Sequence, residues 1–263
     1  MATGSVTQPV ALITGASGGI GEAFANELAH DGYRLVLVAR GQAELNRVAG
    51  VITTKFDVPT IALPRDLAHA DAADELDAEL KKRRLSPDIV VNNAGYGLRG
   101  EAVELDVSQQ LDMIDLNIRT LVELSLRCGR SMKQRGRGGI INVSSTAAYM
   151  PGPNMAVYYA TKAFVSSFSE ALCAELSPFG VQITAVVPGV TATDFQRRAG
   201  LETALLVKAA PAMSAEDVAR IGYAGFKKGR RVVITGTQNK LLAHAARVIP
   251  RALLLPIVKR LQA

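Results

Sequence analysis

Val10-Ala11-Leu12-Ile13-Thr14-Gly15-Ala16-Ser17-Gly18-Gly19-Ile20-Gly21 lies near the start of the chain. Its apolar run reads as a strand buried on both faces, and the glycines after it read as a tight turn. Residues 20–31 then carry the spacing of an amphipathic helix, which Gly32 ends. A glycine-rich turn between strand and helix lets a diphosphate approach the backbone, where free N–H groups and the positive end of the helix dipole face it. The spacing is Gly-x-x-x-Gly-x-Gly, set by Gly15, Gly19 and Gly21. Structural turns use the same residues, so the position of these glycines, directly behind a starting strand, carries the reading.

The same alternation continues downstream. Strands are expected at 33–39, 60–64, 89–91, 139–144, 182–187 and 231–235, and helices at 42–56, 71–84, 106–134 and 158–176. Short apolar strands between amphipathic helices predict an α/β fold, a doubly wound parallel sheet of about seven strands with helices on both faces. The 263 residues fit one such domain, with no linker or repeat. We read 1–8 as a disordered tail, 9–238 as the domain and 239–263 as an apolar, basic extension packed on it.

Composition narrows the class. Aromatics are 5% and Trp is absent, so Ala, Val, Leu and Ile must build the core. The net charge of +6 comes from 30 basic and 24 acidic residues, without a dense basic stripe interleaved with aromatics, which argues against nucleic acid as a partner. Cys128 and Cys173 have neither metal-like nor paired spacing and read as small hydrophobes of a reduced, cytoplasmic protein. No signal-peptide core or spanning run is visible.

Arg40 ends the second expected strand, where dinucleotide enzymes meet the adenosine ribose. An acid there would bind the 2′-hydroxyl of NAD, whereas a guanidinium suits the 2′-phosphate of NADP. No Asp or Glu occupies 38–41, so NADP (as NADPH) is the expected cofactor. Tyr158 and Lys162 are four apart on one helix face. An ammonium beside a phenol is expected to pull the phenol down towards a working pKa. Ser145 lies just past the fifth strand, where its hydroxyl could hold a substrate oxygen. Asn117 sits inside a long helix for which it is a poor former, and its flanking Leu116 and Ile118 leave its face open.

Taken together and in order, these pieces resemble the single-domain short-chain dehydrogenase/reductase family of NADP-preferring type. The resemblance runs from about Pro9 to Thr237, through Thr14-Gly15, Gly19-Ile20-Gly21, Asp66-Leu67, Asn92-Asn93-Ala94-Gly95, Asn117, Ser145, Tyr158, Lys162 and Pro188-Gly189. It implies a Rossmann-type sheet and assigns Tyr158 as general acid or base, with Lys162 lowering its pKa and binding the nicotinamide ribose. Ser145 would hold the carbonyl, and Asn117 would support a water-linked proton path. Gly15, Ser17, Gly18, Gly19, Ile20 and Gly21 would cradle the diphosphate; Asp66, Leu67, Asn93, Ala94 and Gly95 would line the adenosine side; Val190, Thr191 and Thr193 would meet the nicotinamide amide. Some NADP-using members carry a basic residue where this chain has Gly18, so the cofactor reading rests on Arg40. A homodimer or homotetramer through the long helices is also implied.

The expected activity is reduction of an apolar ketone, aldehyde or 3-oxoacyl compound, or the reverse oxidation. The alternative is a dinucleotide-sensing binding protein without turnover, which would be expected to lose Tyr158 or Lys162. A nucleotide-sugar epimerase is disfavoured by length and glycine spacing. Residues 191–211, with Leu201, Leu205, Leu206 and Val207, read equally as a substrate-facing segment or as a helix packed on the core. Residues 240–263 mix apolar residues with Arg247, Arg251, Lys259 and Arg260, and Pro250 and Pro256 are expected to break them into short pieces. This stretch could contact an anionic membrane surface, cover the substrate entrance or join subunits.

Overall fold

In the computed structural model, residues 8–201, 204 and 212–262 are described. The expected tail up to residue 7 and Leu205, Leu206 and Val207 lie outside them. Strands β1 (Val10–Thr14), β2 (Arg34–Ala39), β3 (Thr60–Pro64), β4 (Ile89–Asn92), β5 (Gly138–Val143) and β6 (Val181–Val187) alternate with helices. After them come the short strands β7 (Thr191–Ala192) and β8 (Met213–Ser214), and then β9 (Val232–Ile234). Seven form one parallel sheet in the order β3-β2-β1-β4-β5-β6-β9, while β7 and β8 pair apart.

The unbroken apolar runs are explained by two cores. Ala11 and Ile13 of β1 point into one, with α1 (Gly19–His30), α2 (Gln42–Phe56) and, late in the chain, the helix Ala215–Lys227 supplying Phe24, Leu28, Leu45, Val48, Ile52, Val218 and Tyr223. Val10 and Leu12 point into the other, closed by Leu76 and Leu80 of α3 (Ala72–Lys82) and by Leu124, Met132 and Leu172. A third apolar cluster of Met113, Met155, Tyr158, Leu201, Leu254 and Val258 sits apart from the two sheet faces.

The expected single helix over 106–134 is not uniform. It runs as α4 (Val107–Ile114), a wider π turn at Asp115–Thr120, and α5 (Leu121–Arg135). One such turn rotates the side chains after it relative to those before it, and these turns cluster at functional positions. Here it buries Asn117 to 1% exposure. Helix α6 (Ala156–Leu176) follows, then α7 (Phe195–Arg198), α8 (Ala215–Lys227), α9 (Thr237–Val248) and α10 (Arg251–Gln262).

Pro250 ends α9 as expected, but Pro256 does not interrupt α10. Its missing N–H is tolerated because Ala252, whose carbonyl loses a partner, and Pro256 itself are both exposed to water. Leu254 and Val258, one turn apart, bury the opposite face and hold the helix down.

Candidate active site

The carboxyl ends of the strands open into a cleft of about 1410 Å³. The strand order reverses between β1 and β4, which is where open α/β sheets bind ligands. Helix α1 begins behind this opening with Gly18 at its N-cap, and no side chain caps it. Its first-turn N–H groups therefore face the cleft without a side-chain partner. A Cβ on Gly21 would stand 2.2 Å from the Gly15 carbonyl oxygen, whereas a Cβ on Gly18 would meet nothing within 4 Å. The turn is thus closed on its inner side and open on its outer side, a backbone cradle that a diphosphate fits.

Neighbouring loops hold that cradle. The Asn93 Nδ2 donates to the Thr14 and Gly15 carbonyls at 3.0 and 3.1 Å, and the Thr14 hydroxyl accepts from the Asn93 and Ala94 N–H groups at 3.1 and 3.0 Å. Asn92 instead faces the sheet interior and donates to Ser125 and Asn142. Ser17, Gly19, Ile20, Ala94 and Gly95 also line the cleft.

Arg40 directly follows β2, is exposed, and lines the cleft. The Arg65 N–H donates to the Ala39 carbonyl at 2.9 Å, so a second guanidinium leaves the adjacent strand end and also lines the cleft. The sequence reading missed Arg65; the signal lay in the register that pairs Ala39 with Pro64. Asp66 and Leu67 come next, the Asp66 carboxylate accepting from the Ala68 N–H at 3.0 Å and the Leu67 carbonyl from the Thr120 hydroxyl at 2.7 Å.

Tyr158 lies in the first turn of α6, with Lys162 one turn later, and both are buried. The Lys162 ammonium donates to the Val143 carbonyl at 2.9 Å and stands 5.8 Å from the centre of the Tyr158 ring. Burial drives Lys162 down from the usual lysine range to about 8. Burial also pushes the Tyr158 phenol up from its ordinary value, opposed by its hydrogen bond with the Ser145 hydroxyl. The expectation that Lys162 pulls the phenol down is therefore corrected. Desolvation of the phenolate dominates, the neighbouring Tyr159 adds to it, and the Lys162 ammonium is committed to the Val143 carbonyl. The outcome is a phenol that keeps its proton at neutral pH.

Asn117 faces inward. Its Oδ1 accepts from the Tyr96 N–H at 3.2 Å, and its Nδ2 donates to the Tyr96 carbonyl at 3.0 Å and to the Thr161 hydroxyl at 3.1 Å. It thereby fastens the loop after β4 to α6. A Cβ on Gly95 would come within 2.9 Å of the Asn117 Oδ1 and 3.6 Å of the Lys162 Nζ, so all three crowd one corner.

Beyond β6, Pro188, Gly189, Val190, Thr191 and Thr193 line the cleft. A Cβ on Gly19 would meet the Thr193 methyl at 2.9 Å, which brings this loop over the cradle. Met155, Tyr159, Phe195, Leu201 and Gln262 complete the wall near Tyr158. Of the 191–211 segment, Leu201 is buried in the third apolar cluster. Gln262 carried no sequence signal, since it reaches the site from 103 positions beyond Tyr159.

Known proteins share this arrangement. A family model described as short chain dehydrogenase matches residues 9–203. An uncharacterised oxidoreductase of Staphylococcus epidermidis is 36% identical over 204 residues, which are 75% of this chain and 86% of that protein. The very-long-chain 3-oxoacyl-CoA reductase of Homo sapiens is 35% identical over 188 residues, 70% of this chain and 59% of that protein. A solved short-chain dehydrogenase from Sphingobium yanoikuyae, in complex with NADPH, is 32% identical, with a TM-score of 0.81 over 97% of this chain and 98% of that one. Since the matched span holds the cradle, Ser145, Tyr158 and Lys162 together, the chain belongs to the short-chain dehydrogenase family and is an oxidoreductase.

Proposed function

We propose that the chain is an NADPH-dependent reductase of apolar ketones, aldehydes or 3-oxoacyl compounds, able to run the reverse oxidation. The observation that carries this reading is the placing of Tyr158, Ser145 and Lys162 together in a cleft whose other end is a glycine cradle, open on its outer side and flanked by Arg40 and Arg65. The cradle and helix start would hold the diphosphate, and Arg40, joined by Arg65, would hold the 2′-phosphate. Bound there, NADPH supplies the hydride.

The chain's own groups supply the rest. Ser145 would hold the carbonyl oxygen, and Tyr158 would transfer its phenolic proton to that oxygen as charge develops on it. Lys162, cationic below about 8, would offset the charge then left on the phenol. Asn117 fixes the loop and helix that shape this corner. Met155, Phe195 and Leu201 give the wall an apolar character and keep water from the reacting carbon. The relative whose name includes 3-oxoacyl-CoA and the neighbour bound to NADPH support both halves of the reading. The intact Tyr158–Lys162 pair weighs against a sensor without turnover.

Purified protein with NADPH and a panel of medium-chain ketones, 3-oxoacyl thioesters and hydroxysteroids tests it by loss of nicotinamide absorbance. Tyr158→Phe is expected to lower turnover by roughly 10²–10⁴-fold with NADPH affinity kept. Turnover near wild type in that variant would remove Tyr158 from its role. Arg40→Ala is expected to weaken NADPH about tenfold or more while NADH is little affected; equal weakening would overturn the cofactor preference.

A further inference from the structure

The last described helix, α10, brings one polar side chain to the cleft. Gln262 closes α10, is 1% exposed, and lines the cleft beside Tyr158, Tyr159, Phe195 and Leu201. Two long-range bonds fix it. Its side-chain nitrogen donates to the Tyr159 hydroxyl, and its backbone carbonyl accepts from the Arg99 Nε at 2.9 Å. The same guanidinium donates to the Gly200 carbonyl at 3.2 Å, so Arg99 ties the last turn of α10 to the segment that carries Leu201. Leu254, Val258 and Gln262 follow one another at four-residue spacing, so burial of the first two sets the height and rotation of the third.

The other half of this amide is unsatisfied. The Gln262 Oε1 is buried and has no hydrogen-bond partner. Buried acceptors are almost always paired, and this one belongs to a residue that lines the cleft, so a small shift of the amide would offer it to a ligand's donor. The neighbouring wall includes the apolar Met155, Phe195 and Leu201, backed by Leu254 and Val258 in the same buried cluster. An isolated polar group in an apolar pocket is the usual device for fixing how a ligand lies.

We propose that Gln262 is a specificity residue: its Oε1 accepts a hydrogen bond from a hydroxyl that the substrate carries away from its reacting carbonyl. The preferred substrate class is then a hydroxylated apolar ketone, read by Tyr158 and Ser145 at one end and by Gln262 at the other. This rests on the carbonyl-reductase reading above. Losing the hydroxyl would leave the buried acceptor orphaned again, which is how polar pockets reject apolar analogues.

The test compares 2-decanone with its monohydroxy and monomethoxy analogues, substituted at successive carbons towards the far end. Turnover by the wild-type chain, Gln262→Leu and Gln262→Glu is measured. One hydroxy isomer is expected to exceed both 2-decanone and its methoxy counterpart in kcat/KM by about tenfold. Gln262→Leu is expected to erase that preference, bringing the hydroxy, methoxy and parent ketones to equal kcat/KM, and Gln262→Glu, which keeps an acceptor, is expected to retain the preference. Absence of any hydroxy preference in the wild type would overturn the proposal, as would equal gain from a methoxy group, or a Gln262→Leu defect that falls alike on all three. Thermal-shift binding of the same compounds to the NADPH-loaded protein is measured in parallel. A hydroxy-selective shift that Gln262→Leu removes, with no turnover in any arm, would sustain the role of Gln262 and defeat the reductase reading alone.

Discussion

Tyr158 and Lys162 are both buried, and burial moves them in opposite directions. For an acid catalyst this is useful, because the phenol keeps its proton at working pH and the ammonium can lose its own with little cost. The sign for stability follows. Between about 8 and the ordinary lysine value of 10.5, the unfolded chain holds a proton that the folded chain has released. Stability contributed by this group therefore rises with pH across that window, and below it the buried ammonium costs about 3 kcal/mol. Lys162→Met is expected to gain about 2 kcal/mol near pH 7, after loss of a bond to Val143 worth about 1 kcal/mol. Thermal unfolding should show an increase of several degrees that shrinks towards pH 10, while turnover falls sharply. A melting temperature independent of pH would show that Lys162 is not carrying a buried charge. The i,i+4 spacing made this pair legible in the sequence, but the sign of the phenol shift was not, since it depends on how completely the surroundings exclude water.

At the scale of elements, the two C-terminal helices have different faces. The inward face of α10 buries Leu254 and Val258 in the third apolar cluster and sets Gln262 among the residues lining the cleft. The outward faces keep Leu241, Val248, Leu253 and Ile257 exposed beside Arg247, Arg251 and Arg260. No helix among the described residues is long and apolar enough to cross a membrane. An exposed apolar and basic face suits an anionic bilayer surface. The chain is expected to float with phosphatidylserine-containing vesicles at low salt and to release at high salt. Leu253→Glu with Ile257→Glu should abolish flotation without lowering turnover, and persistence of flotation would place the contact elsewhere. The π turn belongs to this scale too. The expected helix runs through with one widened turn, at which Asn117 is held inward by the Tyr96 backbone and Thr161.

In the whole molecule, the parallel sheet gathers every strand's carboxyl end at one edge, so pieces scattered from Gly15 to Gln262 meet in one cleft. The flanking α4, α5 and α6 leave Leu111, Leu126 and Phe164 exposed, a face suited to pairing with a second copy. Light scattering is expected to give a dimer or tetramer that Phe164→Glu with Leu111→Glu shifts towards monomer; a monomeric wild type would refute this. The strands, the cradle and the Tyr158–Lys162 pair could be read directly because each rests on neighbours a few residues apart, where backbone geometry alone decides which side chains share a face. Arg65, the inward turn of Asn117 and the seating of Gln262 could not. The first needs the register of two strands, the second a local widening fixed by a distant loop, and the third the packing of α10 against the site. Contacts that close over long separations are selected by packing of the finished core, and no local pattern carries them.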